Sequence, residues 1–430
     1  MSSRFYVETL GCPKNQVDSD KLAGTLVASG MVATDDPSAA DMVVVNTCAF
    51  IGDARQESID TILSLSDRRR DGARLVVTGC MAERYGDELA AELPEVDQVA
   101  GFGVPFVSNG EPSRRRLDLS VTEVPEFDLL NLPRPAATSP WAYVKVAEGC
   151  DRRCGFCAIP SFRGDQRSRT PEEIIAEVDQ LGVKEVVLIA QDVASYGKDR
   201  PDLLGAGSIV PLVDEVAKRA EWVRLLYLYP SDLSDDLIDG ICATGVPYFD
   251  LSLQHTSKRL LRRMRRWGDG DRFLRRIADI RQREPDAAFR SNFIVGYPGE
   301  TEADHDELLR FVEEAELDWY GFFAYSAEEG TYAADLDGVV PQSLIDERLI
   351  ELSELADQVS SSRRDIQIGR RMRVLVDDVG VARSTREAPE IDGIVRVSSS
   401  LPVGEFADVD IIDAWGPDLV AAGSDVIDEN

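Results

Sequence analysis

The chain has 430 residues, 43% hydrophobic and 29% charged, a balance that suits two or three cored domains and excludes a largely disordered protein. No apolar run reaches the ~18 residues of a membrane span, and Met1–Leu10 lacks the apolar stretch of a secretory leader, so a cytoplasmic protein is expected. The formal charge of −31, from 47 basic and 78 acidic side chains, favours a basic partner over nucleic acid unless it serves solubility alone.

Residues 4–101 repeat one pattern three times, an apolar strand running straight into a cysteine. Phe5–Gly11 leads to Cys12, Asp41–Thr47 to Cys48 and Arg74–Gly79 to Cys80, with helical patterns near 18–29, 53–70 and 82–93. Alternation of Val-rich strands with helices predicts a parallel sheet whose strand carboxyl ends share one edge, so cysteines distant in sequence can meet there. Residues 104–140 hold six prolines and the run Arg114–Arg115–Arg116, which reads as a connector with a short hairpin. From Trp141, strands are expected at 141–147, 183–190, 222–229, 248–253, 289–296 and 317–325. Helices are expected near 171–181, 209–220, 234–243, 257–283, 301–315 and 342–367. Six strand–helix units suggest a partial barrel of parallel strands. The tail, 369–430, has short β-rich runs at 372–376, 394–397 and 407–412 between Gly and Pro turns, the pattern of a small all-β barrel. The fold class is therefore α/β, with domains expected at 1–103, 141–368 and 369–430.

Seven cysteines, an odd count without a leader, argue against a disulfide framework. The sharpest motif is Gly149-Cys150-Asp151-Arg152-Arg153-Cys154-Gly155-Phe156-Cys157. Three thiolates on one tight loop suit an iron–sulfur cluster and would leave one iron of a four-iron cubane without a thiolate. Structural zinc is the rival, but it wants a fourth ligand and no second Cys-x-x-Cys pair exists. Cys242 lies in an apolar helical pattern and reads as a buried core thiol outside both sets. Of the two histidines, His255 is expected in a hydrogen-bonded pocket and His305 exposed on a polar helix.

The Cys-x3-Cys-x2-Cys loop, with Phe156 before its last cysteine, resembles that of the radical S-adenosylmethionine enzymes. The resemblance implies that S-adenosylmethionine chelates the vacant iron and is cleaved by electron transfer. Gln191, Asp192 and Gln254 fall at strand ends where this superfamily places cofactor contacts. So do Gly296 and Pro298 in Gly296-Tyr297-Pro298-Gly299-Glu300-Thr301, although that segment also reads as a plain strand-to-helix turn capped by Thr301. Cys12, Cys48 and Cys80 in Gly11-Cys12-Pro13-Lys14-Asn15-Gln16, Asn46-Thr47-Cys48 and Thr78-Gly79-Cys80 resemble the amino-terminal half of the methylthiotransferases, and the tail resembles the TRAM barrel. The family resemblance covers nearly the whole chain. It implies two 4Fe-4S clusters, one on each cysteine trio, and an electron donor such as flavodoxin or ferredoxin.

Three segments look like the branch that modifies an aspartate of the twelfth small-subunit ribosomal protein: Gly11–Ser19, Ala158–Gly164 and Ala388–Gly393. The branch acting on a tRNA adenosine is the alternative, and a non-catalytic TRAM-bearing binding protein is a third reading. One departure is Leu253 before Gln254, where the family pattern leads us to expect proline. The tail carries 6 Arg against 13 Asp and Glu, so it suits a basic ribosomal protein better than RNA. Against this stand Arg259, Arg262, Arg263, Arg265, Arg266, Arg272, Arg275 and Arg276, which either touch RNA or form a solvated helix paired with acids. The runs Arg68–Arg69–Arg70 and Arg114–Arg115–Arg116 are read as solvated and paired with acids.

Overall fold

The computed structural model describes residues 2–102, 128–203 and 207–424. Two compact units emerge. The first holds Met1–Ala136, Ala147–Arg152 and Cys157–Arg169; the second holds Ala137–Val146, Arg153–Phe156 and Thr170–Asn430. Residues 103–127, including Arg114–Arg116 and most of the expected connector with its short hairpin, lie outside the described residues. Among the described residues no helix is long and apolar enough to cross a membrane.

The first unit opens with β1 (Arg4–Thr9), α1 (Pro13–Ala28), β2 (Val32–Ala33), β3 (Met42–Thr47), α2 (Gly52–Arg68), β4 (Arg74–Gly79), α3 (Cys80–Glu92) and β5 (Gln98–Val99). The sheet runs β2-β1-β3-β4-β5 and every pairing is parallel. Its Val-rich strands are apolar on both faces because both are covered. Val43, Val45, Leu75 and Val77 pack with Ile62, Leu65, Met81 and Leu89 of α2 and α3. Met42, Val44, Val76 and Phe5 pack with Leu22 and Leu26 of α1 on the other side. α1 starts at Pro13, well before the expected residue 18, because proline is favourable at a first helical position. Arg69 and Arg70 pair with Asp97 and Asp41, the solvated reading of that run.

β6 (Trp141–Lys145) belongs to the second unit, while β7 (Ala147–Glu148), α4 (Ile159–Arg163) and β8 (Arg167–Ser168) return to the first. The second unit continues with α5 (Pro171–Leu181), β9 (Glu185–Ile189), α6 (Val210–Val216), β10 (Trp222–Leu225), α7 (Asp235–Ala243), β11 (Tyr248–Gln254), α8 (Lys258–Arg263), α9 (Gly270–Arg283), β12 (Ala288–Val295), α10 (Glu302–Ala315), β13 (Trp319–Ala324) and α11 (Gln342–Asp365). The six expected strands are present and parallel, as two three-stranded sheets ordered β10-β9-β6 and β11-β12-β13. A parallel bridge between Leu228 and Leu251 links them. The single helix expected over 257–283 is two. Arg265 takes a positive φ of 56°, and Asp269 then starts α9 by accepting the Arg272 N–H at 3.0 Å.

The tail closes into a barrel of β14 (Arg371–Asp378), β15 (Val381–Arg383), β16 (Val395–Arg396), β17 (Phe406–Trp415) and β18 (Asp418–Ala421). Val374, Val376, Ala382, Val395, Ile411 and Leu419 fill its interior. A buried ionic web joins it to the strands of the partial barrel. Glu185 on β9 accepts from Arg224 at 2.8 Å and from Arg383 at 2.7 Å, and Arg383 also holds Asp377 at 2.5 Å. The Ala388–Gly393 segment adds Tyr143 Oη to the Pro389 carbonyl at 2.8 Å and Tyr248 Oη to Asp392 at 2.6 Å. Arg290 also pairs with Asp392.

Candidate iron–sulfur and cofactor sites

Cys12, Cys48 and Cys80 follow three adjacent parallel strands, β1, β3 and β4, so all three emerge at one edge of the first unit's sheet. Two glycines make the approach close. Gly11 has φ +95°, and a Cβ there would sit 2.9 Å from Cys48 Cβ and 3.0 Å from its Sγ. Gly79, φ +91°, packs its Cα against Asn46 and the Thr47 backbone. Both conformations are ones that residues with a side chain avoid. Cys12 caps α1 and Cys80 begins α3, so two thiols stand at helix N-termini, which favour anionic sulfur. Cys48 is held through its backbone: its N–H donates to Ser58 Oγ at 3.1 Å, and its carbonyl accepts from that hydroxyl at 3.2 Å.

Asn15 knits this edge together. Its Nδ2 donates to the carbonyls of Leu10 at 2.8 Å and Thr47 at 3.1 Å. Its Oδ1 accepts from Arg163 Nη2 at 2.7 Å and faces Cys80 Sγ at 3.6 Å. Arg163, at the end of α4, also reaches Cys80 Sγ at 3.1 Å, Glu148 at 2.8 Å and Asp18 at 3.3 Å. Burial pushes the Cys80 thiol up to about 11 and raises Cys48, against the pull of Arg163. Burial also opposes ionisation of Cys12, but Lys14 and Arg163 outweigh it and its thiol lies below the ordinary value. The Cys12 charge raises both other thiols, as expected of three sulfurs sharing a small volume.

The second trio lies on the loop after β7. Its residues are divided between the units, Cys150 and Cys157 in the first and Cys154 in the second. Cys150 N–H donates to the Gly164 carbonyl at 3.0 Å, and Arg152 N–H donates to Cys150 Sγ at 3.4 Å. In the second unit, Gly155 exchanges backbone bonds with Met264 and Ala333, both at 2.8 Å. Arg266 Nη1 donates to Cys154 Sγ at 3.1 Å, its other nitrogen bonds the Ser252 carbonyl, and its guanidinium lies 4.3 Å from the Tyr229 ring centre. Phe156 is half-buried.

Among the described residues no three Cys, His, Asp or Glu converge as a single bound metal ion requires. A cubane makes a different demand, since each thiolate takes its own iron. Both trios fit it in donor chemistry: soft thiols only, each set with a guanidinium on one sulfur.

The remaining strand-end residues divide. Asp192 is buried beyond β9 and accepts from Ser195 Oγ at 2.7 Å, with Gln191 half-buried beside it. Gln254 ends β11 with φ 71°. Gly296 and Pro298 form a tightly built turn. Glu300 accepts the Gly296 N–H at 2.6 Å and the Tyr297 N–H at 3.2 Å, and Arg263 donates to the Pro298 carbonyl at 2.8 Å. Thr301 caps α10 through a capping box with Asp304. His255 is buried, accepts the Ser257 N–H on Nδ1 at 3.0 Å, and burial lowers it to about 3, so it stays neutral.

Several sequence expectations need adjustment here. His305 is not exposed: it is 1% accessible, with Nε2 on Glu351 at 2.8 Å. Its helix is polar overall, but position 305 falls on the face packed inward with Leu308 and Val312. Cys242 lies on α7, only half-buried. Arg259, Arg263, Arg272 and Arg276 pair with Asp304, Asp337, Asp269 and Asp235, as the solvated reading has it. Arg266 departs from that group and donates to Cys154. Asn15 and Arg163 lie inside motifs quoted from the sequence, yet spacing alone did not mark either as the hub.

The residues match three family models: the uncharacterized family UPF0004 over 4–101, the radical SAM superfamily over 144–312 and the TRAM domain over 368–423. With the parallel-sheet unit, the six parallel strands and the small barrel, they define a radical SAM methylthiotransferase. Similar proteins named ribosomal protein uS12 methylthiotransferase RimO include one from Cutibacterium acnes, 42% identical with 97% of each chain covered. Others come from Streptomyces coelicolor, 42% identical over 96% of this chain and 95% of the relative, and Anaeromyxobacter sp. strain K, 41% over 98% and 93%. The chain belongs to the RimO family.

Proposed function

We propose that the chain methylthiolates the β-carbon of an aspartate in the twelfth protein of the small ribosomal subunit. The reading is carried by the first unit's sheet edge, where β1, β3 and β4 deliver Cys12, Cys48 and Cys80 to one place. Cys150, Cys154 and Cys157 would hold one 4Fe-4S cluster, and Cys12, Cys48 and Cys80 the other. Gln191, Asp192, Gln254, Gly296, Pro298 and Phe156 would line the S-adenosylmethionine site. When bound, these groups supply a 5′-deoxyadenosyl radical and a methylated sulfur, chemistry that acid–base side chains cannot perform.

The chain's own residues hold charge and geometry. Arg266 and Arg163 each place a guanidinium on one sulfur, where it would offset the charge of a cluster-bound thiolate. Glu300 and Arg263 fix the turn after β12. The basic ribosomal protein would be met by the acidic tail barrel, and a flavodoxin or ferredoxin would deliver the electrons.

The test is anaerobic reconstitution followed by product analysis with the ribosomal protein and tRNA offered together. Two four-iron clusters correspond to about eight irons per chain, and the expected product is a methylthio-aspartate peptide. A methylthio-adenosine product, or about four irons per chain with the second trio unloaded, would overturn the reading.

A further inference from the structure

Arg163 lies buried against one sulfur of the sheet-edge trio, that of Cys80. Its side chain is 3% exposed, and its guanidinium is used on both edges. Nη1 donates to Glu148 at 2.8 Å and Asp18 at 3.3 Å. Nη2 donates to Asn15 Oδ1 at 2.7 Å and Cys80 Sγ at 3.1 Å. The Phe102 ring lies 4.7 Å from the guanidinium carbon. A surface arginine would not be desolvated this way, and the two carboxylates alone would hold it without any approach to sulfur. Planar fork geometry lets one residue fix a carboxylate edge and a sulfur edge at once, which a lysine cannot do.

Position in the chain adds the second half of the argument. Arg163 ends α4, six residues after Cys157. Cys157, α4 and Cys80 all belong to the first unit. The segment leaving the loop trio therefore ends on a sulfur of the sheet-edge trio. We propose that Arg163 is a positioning residue for the auxiliary site: it holds the Cys80 thiolate in place and keeps the cluster there easier to reduce. The inference rests on the proposed function, since it presumes a cluster on Cys12, Cys48 and Cys80. Arg266 on Cys154 is its counterpart in the second unit and supplies the internal comparison.

The experiment uses the full chain, anaerobically reconstituted, in wild-type, Arg163→Gln, Arg163→Lys and Arg266→Lys forms. Iron and sulfide content, chelator resistance and redox-titrated paramagnetic resonance are read for each cluster. Arg163→Gln removes charge and fork together. The auxiliary signal should titrate at a more negative potential, and that cluster should be lost to chelator about 10–100-fold more readily, the usual effect of removing a partner behind a ligand. The signal from the Cys150, Cys154 and Cys157 cluster should be unchanged. Arg163→Lys keeps the charge and loses the fork, so it should restore most of the potential and little of the retention. Arg266→Lys should show the reverse selectivity. Equal damage to both clusters in Arg163→Gln, or an auxiliary potential and retention matching wild type, would overturn the inference. A wild-type protein holding one cluster would instead overturn the proposed function.

Discussion

Replacing Gly11 by alanine tests whether the sheet edge is as close as the geometry requires. At φ +95° an L-residue is strained whatever space surrounds it, at about 1–3 kcal/mol. The added methyl would also stand 2.9 Å from Cys48 Cβ and 3.0 Å from its sulfur. Cys48 cannot easily retreat, because its N–H and carbonyl are both bonded to Ser58. Forcing a methyl into such packing costs about 1–3 kcal/mol more, so the local loss should total about 2–6 kcal/mol. Native-state hydrogen exchange read by mass spectrometry resolves this within β1 and β3 without assuming that the whole chain unfolds in one step. Cys48→Gly in the Gly11→Ala background should recover the steric part and leave the backbone part. The pair should therefore couple by about 0.5–3 kcal/mol in a double-mutant cycle. Reconstituted Gly11→Ala should lose auxiliary iron and keep the loop cluster. Exchange in β1 and β3 within about 0.5 kcal/mol of wild type would refute the claimed approach of Gly11 to Cys48.

Glu185→Gln should cost about 3–5 kcal/mol by leaving the buried Arg224 without a carboxylate and Arg383 with Asp377 alone, read as a fall in melting temperature at pH 7. Its folded pKa lies below the ordinary value: burial opposes ionisation, but Arg383 and Arg224 outweigh burial. The difference from wild type should therefore be full above the unfolded carboxylate pKa and shrink as pH falls through the folded one. Asn15→Leu leaves the Leu10 and Thr47 carbonyls without that amide and should cost about 1–3 kcal/mol, visible as faster exchange at the ends of β1 and β3. Charge reversal of Asp408 and Asp410, exposed on β17, should weaken binding of the ribosomal protein and spare S-adenosylmethionine cleavage, with an effect that fades as salt rises. Arg371 and Arg373 lie opposite these acids on β14, so Arg371→Glu with Arg373→Glu should tighten the same binding. Unchanged affinity at low salt in both variants would end the acidic-face idea.

Much of this architecture was legible because parallel strands buried on both faces write themselves as unbroken Val runs, and cysteines at their ends then fall on one edge by topology. Asp41–Thr47 and Arg74–Gly79 show this directly. What escaped was anything set by three-dimensional neighbours. Arg266 sits in an arginine-rich stretch in which Arg259, Arg263, Arg272 and Arg276 pair with acids, whereas Arg266, just past the break at Arg265, reaches Cys154. His305 looked exposed because the acids around it dominate the local composition, whereas helical period places it inward beside Leu308. Arg163 and Asn15 are 148 residues apart, so no local pattern links them. The one usable hint was that both lie in short motifs adjoining cysteines.

Under the proposed function the tail barrel must be aimed as well as charged. A flexible tether would let it swing, and its acidic face would then raise local substrate concentration without fixing direction. The contacts argue for a fixed aim. Glu185 and Arg224 are fully buried, Arg383 is 2% exposed, and Arg383 belongs to the barrel while Glu185, which it shares with Arg224, lies on a strand of the partial barrel. Separating them would return buried charges to water and leave Tyr143, Tyr248 and Arg290 without their partners in Ala388–Gly393. Each such loss is worth about 1–3 kcal/mol for a hydrogen bond and more for a charge, far above thermal energy. Salt, which screens exposed pairs such as Arg371 with Asp408, barely reaches buried ones. Raising ionic strength should therefore release a bound basic partner while the barrel stays docked. Under the proposed function, that ordering would let the acidic surface set affinity and the buried web set direction.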